Sequence, residues 1–410
     1  VKKTSFSLSL TEKLILLGIG VSPLFFWPWA KVPFEVPKVW GILVCIEVVI
    51  ASFLWQLNKE RSLKLSFSRG WLPLMGFAGA AIASSFLGVN LLKSWWGNYY
   101  RMDGLVVFLH LLALVTVTTQ VASRKFWQIL PKVWAISSSI LAITTVVAFL
   151  LRTFVLHTWE TGLKFGGPLG QSNFLGGYLA ITLPLSIYQL GETRFGKEKV
   201  CWALGILAQL LALLLTQSKG GLLISLTAVV LTPILLHVKN FHQLRRFWQI
   251  GVIIGFICLG SLVGTQIFLD QQGFNAESRE RVFHKLLLAI ADRPLQGWGW
   301  ANVDKAFEAH PWPFPILHDI YVDKAHSTIL EVFVTTGLVG GVFYLWLIGQ
   351  TASLLWKRMS AFSEKENQLN QVLFLVFLLS LAQAQLNVIS ISQELIFWVI
   401  VAFSLQVKKQ

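Results

Sequence analysis

Apolar residues in this chain come in blocks of about 17 to 25, parted by short polar stretches, and that spacing sets the solvent before it sets the fold. A helix of that length crosses a hydrocarbon core of ~30 Å. Inside such a core the backbone N–H and C=O groups have no water to bond, so only helices or closed barrels are viable. The short alternating segments of a barrel are not visible. The chain therefore reads as an all-α integral membrane protein with about twelve transmembrane helices. The expected spans are 14–30, 36–57, 70–92, 105–122, 126–150, 172–190, 200–217, 220–238, 247–269, 328–356, 371–387 and 391–407. Trp and Tyr recur near their ends, as headgroup anchoring requires. Only 13% of residues are charged, against about 25% in soluble domains.

The net charge of +14 does not point to nucleic acid. Lys and Arg sit in short clusters between spans: Lys2, Lys3 and Lys13; Lys59, Arg61, Lys64 and Arg69; Arg124 and Lys125; Arg194, Lys197 and Lys199; Lys239, Arg245 and Arg246; Lys357, Arg358 and Lys365; Lys408 and Lys409. These fall on alternate loops, which predicts cytoplasmic positions for both termini. The first apolar block follows lysines and precedes further spans, so it reads as a retained signal anchor. Cys45, Cys201 and Cys258 lie in apolar segments without metal spacing and read as core residues.

Asp270 to Ala325 is a polar interruption of about 55 residues, far longer than an ordinary connection. The chain thus divides into helices 1–9 over 1–269, a large extracytoplasmic loop over 270–327 that carries the chemistry, and helices 10–12 over 328–410. Within the loop, Val282, Leu286, Ala289 and Ile290 recur at helical spacing and predict an amphipathic helix over 277–291. Pro294 and Gly297-Trp-Gly-Trp end it. A Pro-rich stretch at Pro311, Pro313 and Pro315 follows, then a short helix leading to His326.

His326 opens a pattern of His-Ser followed by Gly337-x-x-Gly340 at the head of a span. Histidine suits base catalysis near neutral pH, although an interfacial histidine satisfied by backbone fits the position too. The two glycines, one turn apart, would admit a closely packed helix. Arg279 and Arg281 begin the loop helix, where guanidinium forks match phosphate oxygens; a solvated helix face is the alternative. Lys219, between two spans, must snorkel or meet an anion. Asn173, in Gly166-Gly-Pro-Leu-Gly-Gln-Ser-Asn, suits a helix cap or an interhelical hydrogen bond as well as a substrate contact. Arg101, in an earlier outer loop, is a further anion contact. Asp319, Asp323 and His326 would share one helical face, but the spacing matches no metal pattern.

Four stretches together resemble the O-antigen ligase and polymerase superfamily of bacterial inner-membrane glycosyltransferases. They are Gly-Pro-Leu-Gly-Gln-Ser-Asn-Phe-Leu-Gly-Gly-Tyr-Leu; Thr216-Gln-Ser-Lys-Gly-Gly; Ser278-Arg-Glu-Arg-Val-Phe with Ala291-Asp-Arg-Pro-Leu-Gln-Gly-Trp-Gly; and Ala325-His-Ser with Gly337-x-x-Gly. The likeness covers roughly residues 90–360. It implies transfer of a glycan from a polyprenyl (undecaprenyl) diphosphate carrier to a hydroxyl of a glycan, lipid or protein acceptor on the outer face, as in lipopolysaccharide and cell-envelope assembly. It implies no metal and no cofactor. Arg279 and His326 match the catalytic residues of the family, with Arg281 as a near neighbour; Lys219, Arg101 and Asn173 are assigned to diphosphate or glycan binding. Lys219 stands where the family commonly has Arg, and Ser327 where Asn is frequent. Polymerases and O-linking protein oligosaccharyltransferases share this chemistry. A transporter of the inorganic-carbon type is the alternative from another class. Charges within the spans are scarce, Glu47 and Glu394 being the main exceptions.

Overall fold

The computed structural model describes residues 7–59, 66–154, 165–194, 196–237, 279–311, 321–360 and 364–406. The expected ninth span, 247–269, and the start of the long loop lie outside them, as do Pro313, Pro315 and Asp319. Every regular element among the described residues is helical. In chain order the helices are α1 (Leu10–Val21), α2 (Glu35–Lys59), α3 (Leu72–Leu87), α4 (Leu91–Trp96), α5 (Leu105–Val121), α6 (Arg124–Phe154), α7 (Ser172–Glu192), α8 (Lys197–Thr216), α9 (Lys219–His237), α10 (Arg279–Asp292), α11 (Val303–Glu308), α12 (Thr328–Ser360), α13 (Glu364–Leu386) and α14 (Ile391–Leu405). Eight are long and apolar enough to cross a membrane: α2, α3 with its preceding turn, α6, α7, α8, α9, α12 and α13. The apolar helices α5 and α14 are shorter.

The first expected span is cut short. α1 has 12 residues, about 18 Å of helix, and ends where the Ser22 N–H closes onto the Gly18 carbonyl ahead of Pro23. Residues 24–33 then fold back on themselves, with the Trp27 N–H bonded to the Pro33 carbonyl at 2.9 Å. α3 also stops early, at Leu87 rather than 92, because Gly88 is extended and pressed against Gly299: a Cβ on Gly88 would lie 2.6 Å from the Gly299 Cα.

The centre of the bundle is α7, with 78% of its most apolar stretch buried against 33% for α2, α8 and α9. Lipid is as apolar as any core, so close approach rather than water exclusion holds such helices together. α7 supplies it with Gly176 and Gly177. A Cβ on Gly177 would lie 2.2 Å from the Gln393 amide nitrogen, and one on Gly176 would lie 2.9 Å from the Ser218 Cβ. α6, α8, α9 and α13 pack around α7, while α12 packs on α3, and α5 on α2 and α14. Of the two acids expected within spans, Glu47 on α2 meets His110 of α5 at 2.8 Å, and Glu394 stands in the first turn of α14.

The loop has an apolar core of its own. Val282, Leu286 and Ala289 of α10 point inward, as their spacing requires, and Ile290 packs against them. They meet Trp298, Phe307 of α11, Val322 and Val334 of α12. The indole N–H of Trp298 caps the Ala289 carbonyl at 2.7 Å, and Lys285 lies 3.7 Å from the centre of the Phe307 ring.

This unit is spliced into α12. The helix is interrupted at Gly337, where φ is +67°. The interruption frees the carbonyls of Val334 and Thr335, and the loop takes both: Trp298 N–H and Gly299 N–H donate to them at 2.9 Å each. In return the Leu338 N–H donates to the Pro294 carbonyl at 2.6 Å. The Gly337-x-x-Gly340 pair therefore admits loop backbone at Gly337, where the spacing predicts a neighbouring helix.

Candidate active site

At one end of the bundle α2, α5, α12 and α14 all begin, α13 ends, and the five face a common cavity of about 140 Å³. Each helix start carries partial positive charge. Three of the four carry an acid in the first turn: Glu35, Glu331 and Glu394, all lining the cavity. These acids suit the dipoles. Two cations reach the same cavity from loops, and one of them pairs with Glu331.

Arg101 comes from the tight turn between α4 and α5. That turn needs glycine at both ends: Gly97 has φ +78°, and a Cβ on Gly104 would lie 2.2 Å from the Trp95 carbonyl oxygen. The Asn98 N–H donates to Asp103 Oδ1 at 3.0 Å and fixes its shape. Arg101 pairs with Asp323 through Nε and lies over the rings of Tyr100 and Phe174, at 5.7 and 5.9 Å. Lys324 comes from the segment before α12. Its Nζ stands 2.6 Å from Asp103 Oδ2 and 2.6 Å from Glu331 Oε1. Burial alone would raise the Asp103 pKa, but Lys324 and Arg101 bring it below the ordinary carboxylate value. Burial likewise disfavours the Lys324 charge, and the two carboxylates more than restore it. The pair is thus ionised at neutral pH. Replacing Lys324 with Met leaves two buried carboxylates without their cation. We expect a loss of roughly 3–5 kcal/mol in stability, read as a lower unfolding temperature in detergent, with Lys324→Arg losing much less.

His326 lines the same cavity, partly buried, with φ +53°. This left-handed conformation is uncommon for a residue with a side chain, though histidine is among those that adopt it more often. It is held from below. Ser327 Oγ donates to Gln385 Oε1 at 2.8 Å and accepts the Leu330 N–H, while Thr328 donates to the Ala384 carbonyl at 3.2 Å. Residues 321–325 are not helical, and residues 312–320, the rest of the interval where a short helix is expected ahead of His326, lie outside the described residues. Among the described residues of the loop the short helix is α11, before the prolines. Asp323 accordingly pairs with Arg101 and shares no helical face with His326.

Of the residues singled out in the sequence, Arg101 and His326 meet in the cavity. Asn173 accepts a hydrogen bond from Ser218 Oγ at 2.8 Å, joining α7 to the turn between α8 and α9. This is the interhelical role that its position allowed. Lys219 is the exposed first residue of α9. It adjoins the cavity wall through Gly220, where a Cβ would lie 2.5 Å from the amide nitrogen of Asn387. Arg279 and Arg281 stand in the first turn of α10; their side chains lie outside the described residues. His310 is a brace, bonded to Asp292 at 2.8 Å and to the Ala306 carbonyl. Asp103, Lys324, Glu331, Glu35 and Glu394 were not assigned to the site from the sequence. A usable signal existed for two of them: Lys324 and Glu331 flank His326 within seven residues, at a helix start where acids are favoured.

Residues 204–345 match the family model described as O-antigen ligase. The match takes in about a third of the chain, including Lys219, α10, His326 and Gly337, and leaves Arg101 and Asn173 outside it. It supports the superfamily named from the motifs. No curated protein matches the chain.

Proposed function

We propose, with the O-antigen ligase superfamily as premise, that this chain is a membrane glycosyltransferase. It moves a glycan from a polyprenyl diphosphate carrier to an acceptor hydroxyl at the outer face of a bacterial inner membrane. The observation that carries this reading is His326 held in a left-handed turn, facing a cavity that Arg101 and Lys324 also enter and that four helix starts surround. In the proposed step the acceptor oxygen bonds to the anomeric carbon and the bond from that carbon to the diphosphate oxygen breaks. His326 takes the hydroxyl proton. The departing diphosphate gathers negative charge, which the helix starts and Arg101 meet. Arg279 and Arg281, on the loop, and Lys219, beside the cavity wall, are assigned to the rest of the carrier.

Orientation follows from charge. Lys59, Arg69, Arg124, Lys125, Lys357 and Arg358 all sit at helix ends away from the cavity. The positive-inside tendency turns that end toward the cytoplasm and the cavity outward. A transporter reading would draw on the discontinuity in α12, since interrupted helices mark many transport sites. Here the loop backbone fills the interruption, which favours transfer.

The test is reconstitution. Proteoliposomes carrying the chain, supplied with a polyprenyl diphosphate-linked glycan and a glycan or lipid acceptor, are expected to form the joined product and release polyprenyl diphosphate in equal amounts. Solute uptake with no carrier released, across donors of several kinds, would sink the assignment.

A further inference from the structure

The carboxylates around the cavity are not equivalent. Asp103 and Glu331 share Lys324, and Asp323 holds Arg101. Glu35 faces the backbone N–H of Ile391 and the charge of Lys38. Glu394 differs from all of these. Among the described residues its side chain has no hydrogen bond and no ion pair; Lys324 acts on it only through space, as do the carboxylates of Asp103, Glu331 and Glu35. It is partly buried, one turn into α14, and lines the cavity. Phe397 and Trp398 follow on the same helix and line the cavity with it, as does Trp300, which stacks on Phe108 at 4.7 Å between ring centres.

A carboxyl group presents acceptor oxygens in either protonation state. A diphosphate presents acceptors, so it satisfies none of that capacity. Sugar hydroxyls donate, and the C–H faces of a sugar ring suit neighbouring aromatic rings. We infer that Glu394 is a sugar-hydroxyl ligand, which sets which glycan the cavity holds beside the diphosphate. The inference rests on the transfer reading above. The hydroxyls belong either to the donor glycan or to the acceptor, and both present the same chemistry.

The experiment uses the full chain in detergent and in proteoliposomes. Its donor is the host cell's own polyprenyl diphosphate-linked glycan, and its acceptor is the lipid-anchored glycan of the same membranes. Glu394→Gln keeps the side chain's size and turns one acceptor oxygen into an amide donor. KM is expected to rise about tenfold or more for one of the two substrates, because a sugar hydroxyl loses its acceptor inside the cavity, while kcat changes less. A rise confined to the acceptor, or to the donor, identifies the source of the hydroxyls. Binding of the free oligosaccharide, released from the donor by mild acid, is measured separately and needs no turnover. Its affinity is expected to fall for Glu394→Gln if the donor glycan is the ligand. Glu394→Asp, which keeps the carboxylate, and Glu198→Gln, far from the cavity, check for folding by unfolding temperature. If both KM values and the oligosaccharide affinity match wild type in a folded Glu394→Gln protein, the inference fails while the transfer reading stands. If the wild-type chain turns over no donor, the transfer reading itself fails.

Discussion

His326→Asn is expected to cut glycan transfer at least ~100-fold, the scale on which a positioned general base contributes, while the protein stays folded. Asparagine is the informative replacement. It tolerates the left-handed backbone found at position 326, so the variant removes the imidazole without straining the turn. His326→Ala should lose as much transfer, with an added cost in stability from the backbone. The measurement is the initial rate of joined product in proteoliposomes, alongside the unfolding temperature in detergent. A folded His326→Asn protein that kept a tenth of the wild-type rate would remove histidine from proton transfer. The base would then have to be sought elsewhere in the cavity.

The second large effect concerns a residue that touches no substrate. Gly337→Ala would place a Cβ 2.3 Å from the Leu295 carbonyl oxygen, at a φ of +67°. The backbone conformation alone costs on the order of 1–3 kcal/mol for a residue with a side chain, and the overlap adds to it. The variant is expected to lose about 3 kcal/mol or more in stability, to expose the loop to limited proteolysis, and to lose transfer, because the loop can no longer seat against α12. Gly79 of α3 provides the contrast. A Cβ there meets nothing within 4 Å, so Gly79→Ala should be neutral or slightly stabilising. Equal unfolding temperatures for Gly337→Ala and wild type would show that the splice does not hold the loop.

The fold was largely legible because a bilayer leaves few options. The span starts at 105, 172 and 328 coincide with helix starts, since Gly104, Gly170 and Ser327 are residues that stop or cap a helix. The misreadings occurred where tertiary contacts decide. Leu87 ends α3 because Gly88 abuts Gly299, a partner more than two hundred residues away. Gly337 was correctly read as a place of close approach, yet the approaching group is loop backbone, and no local pattern announces that. The site divided in the same way. His326 and Arg101 were visible as candidate side chains at membrane edges, and both line the cavity. Lys324 and Asp103 were not, because a lysine and an aspartate in polar loops look solvated until the fold buries them against each other. Glu331 and Glu394 are each a first-turn acid of an ordinary helix, and only the convergence of α12 and α14 gives them a shared cavity.

The interruption of α12 also bears on the order in which the molecule is made. The Val334 and Thr335 carbonyls are bonded by Trp298 and Gly299, and the Trp298 carbonyl is itself bonded by the Val89 N–H at 3.1 Å. Both partners of α12 are therefore synthesised before it. Unbonded carbonyls in hydrocarbon cost several kcal/mol each, so α12 can part at Gly337 only beside a loop that has already folded onto the end of α3. The chain is thus made in the order these bonds require: α3 and the loop first, the helix that breaks against them second.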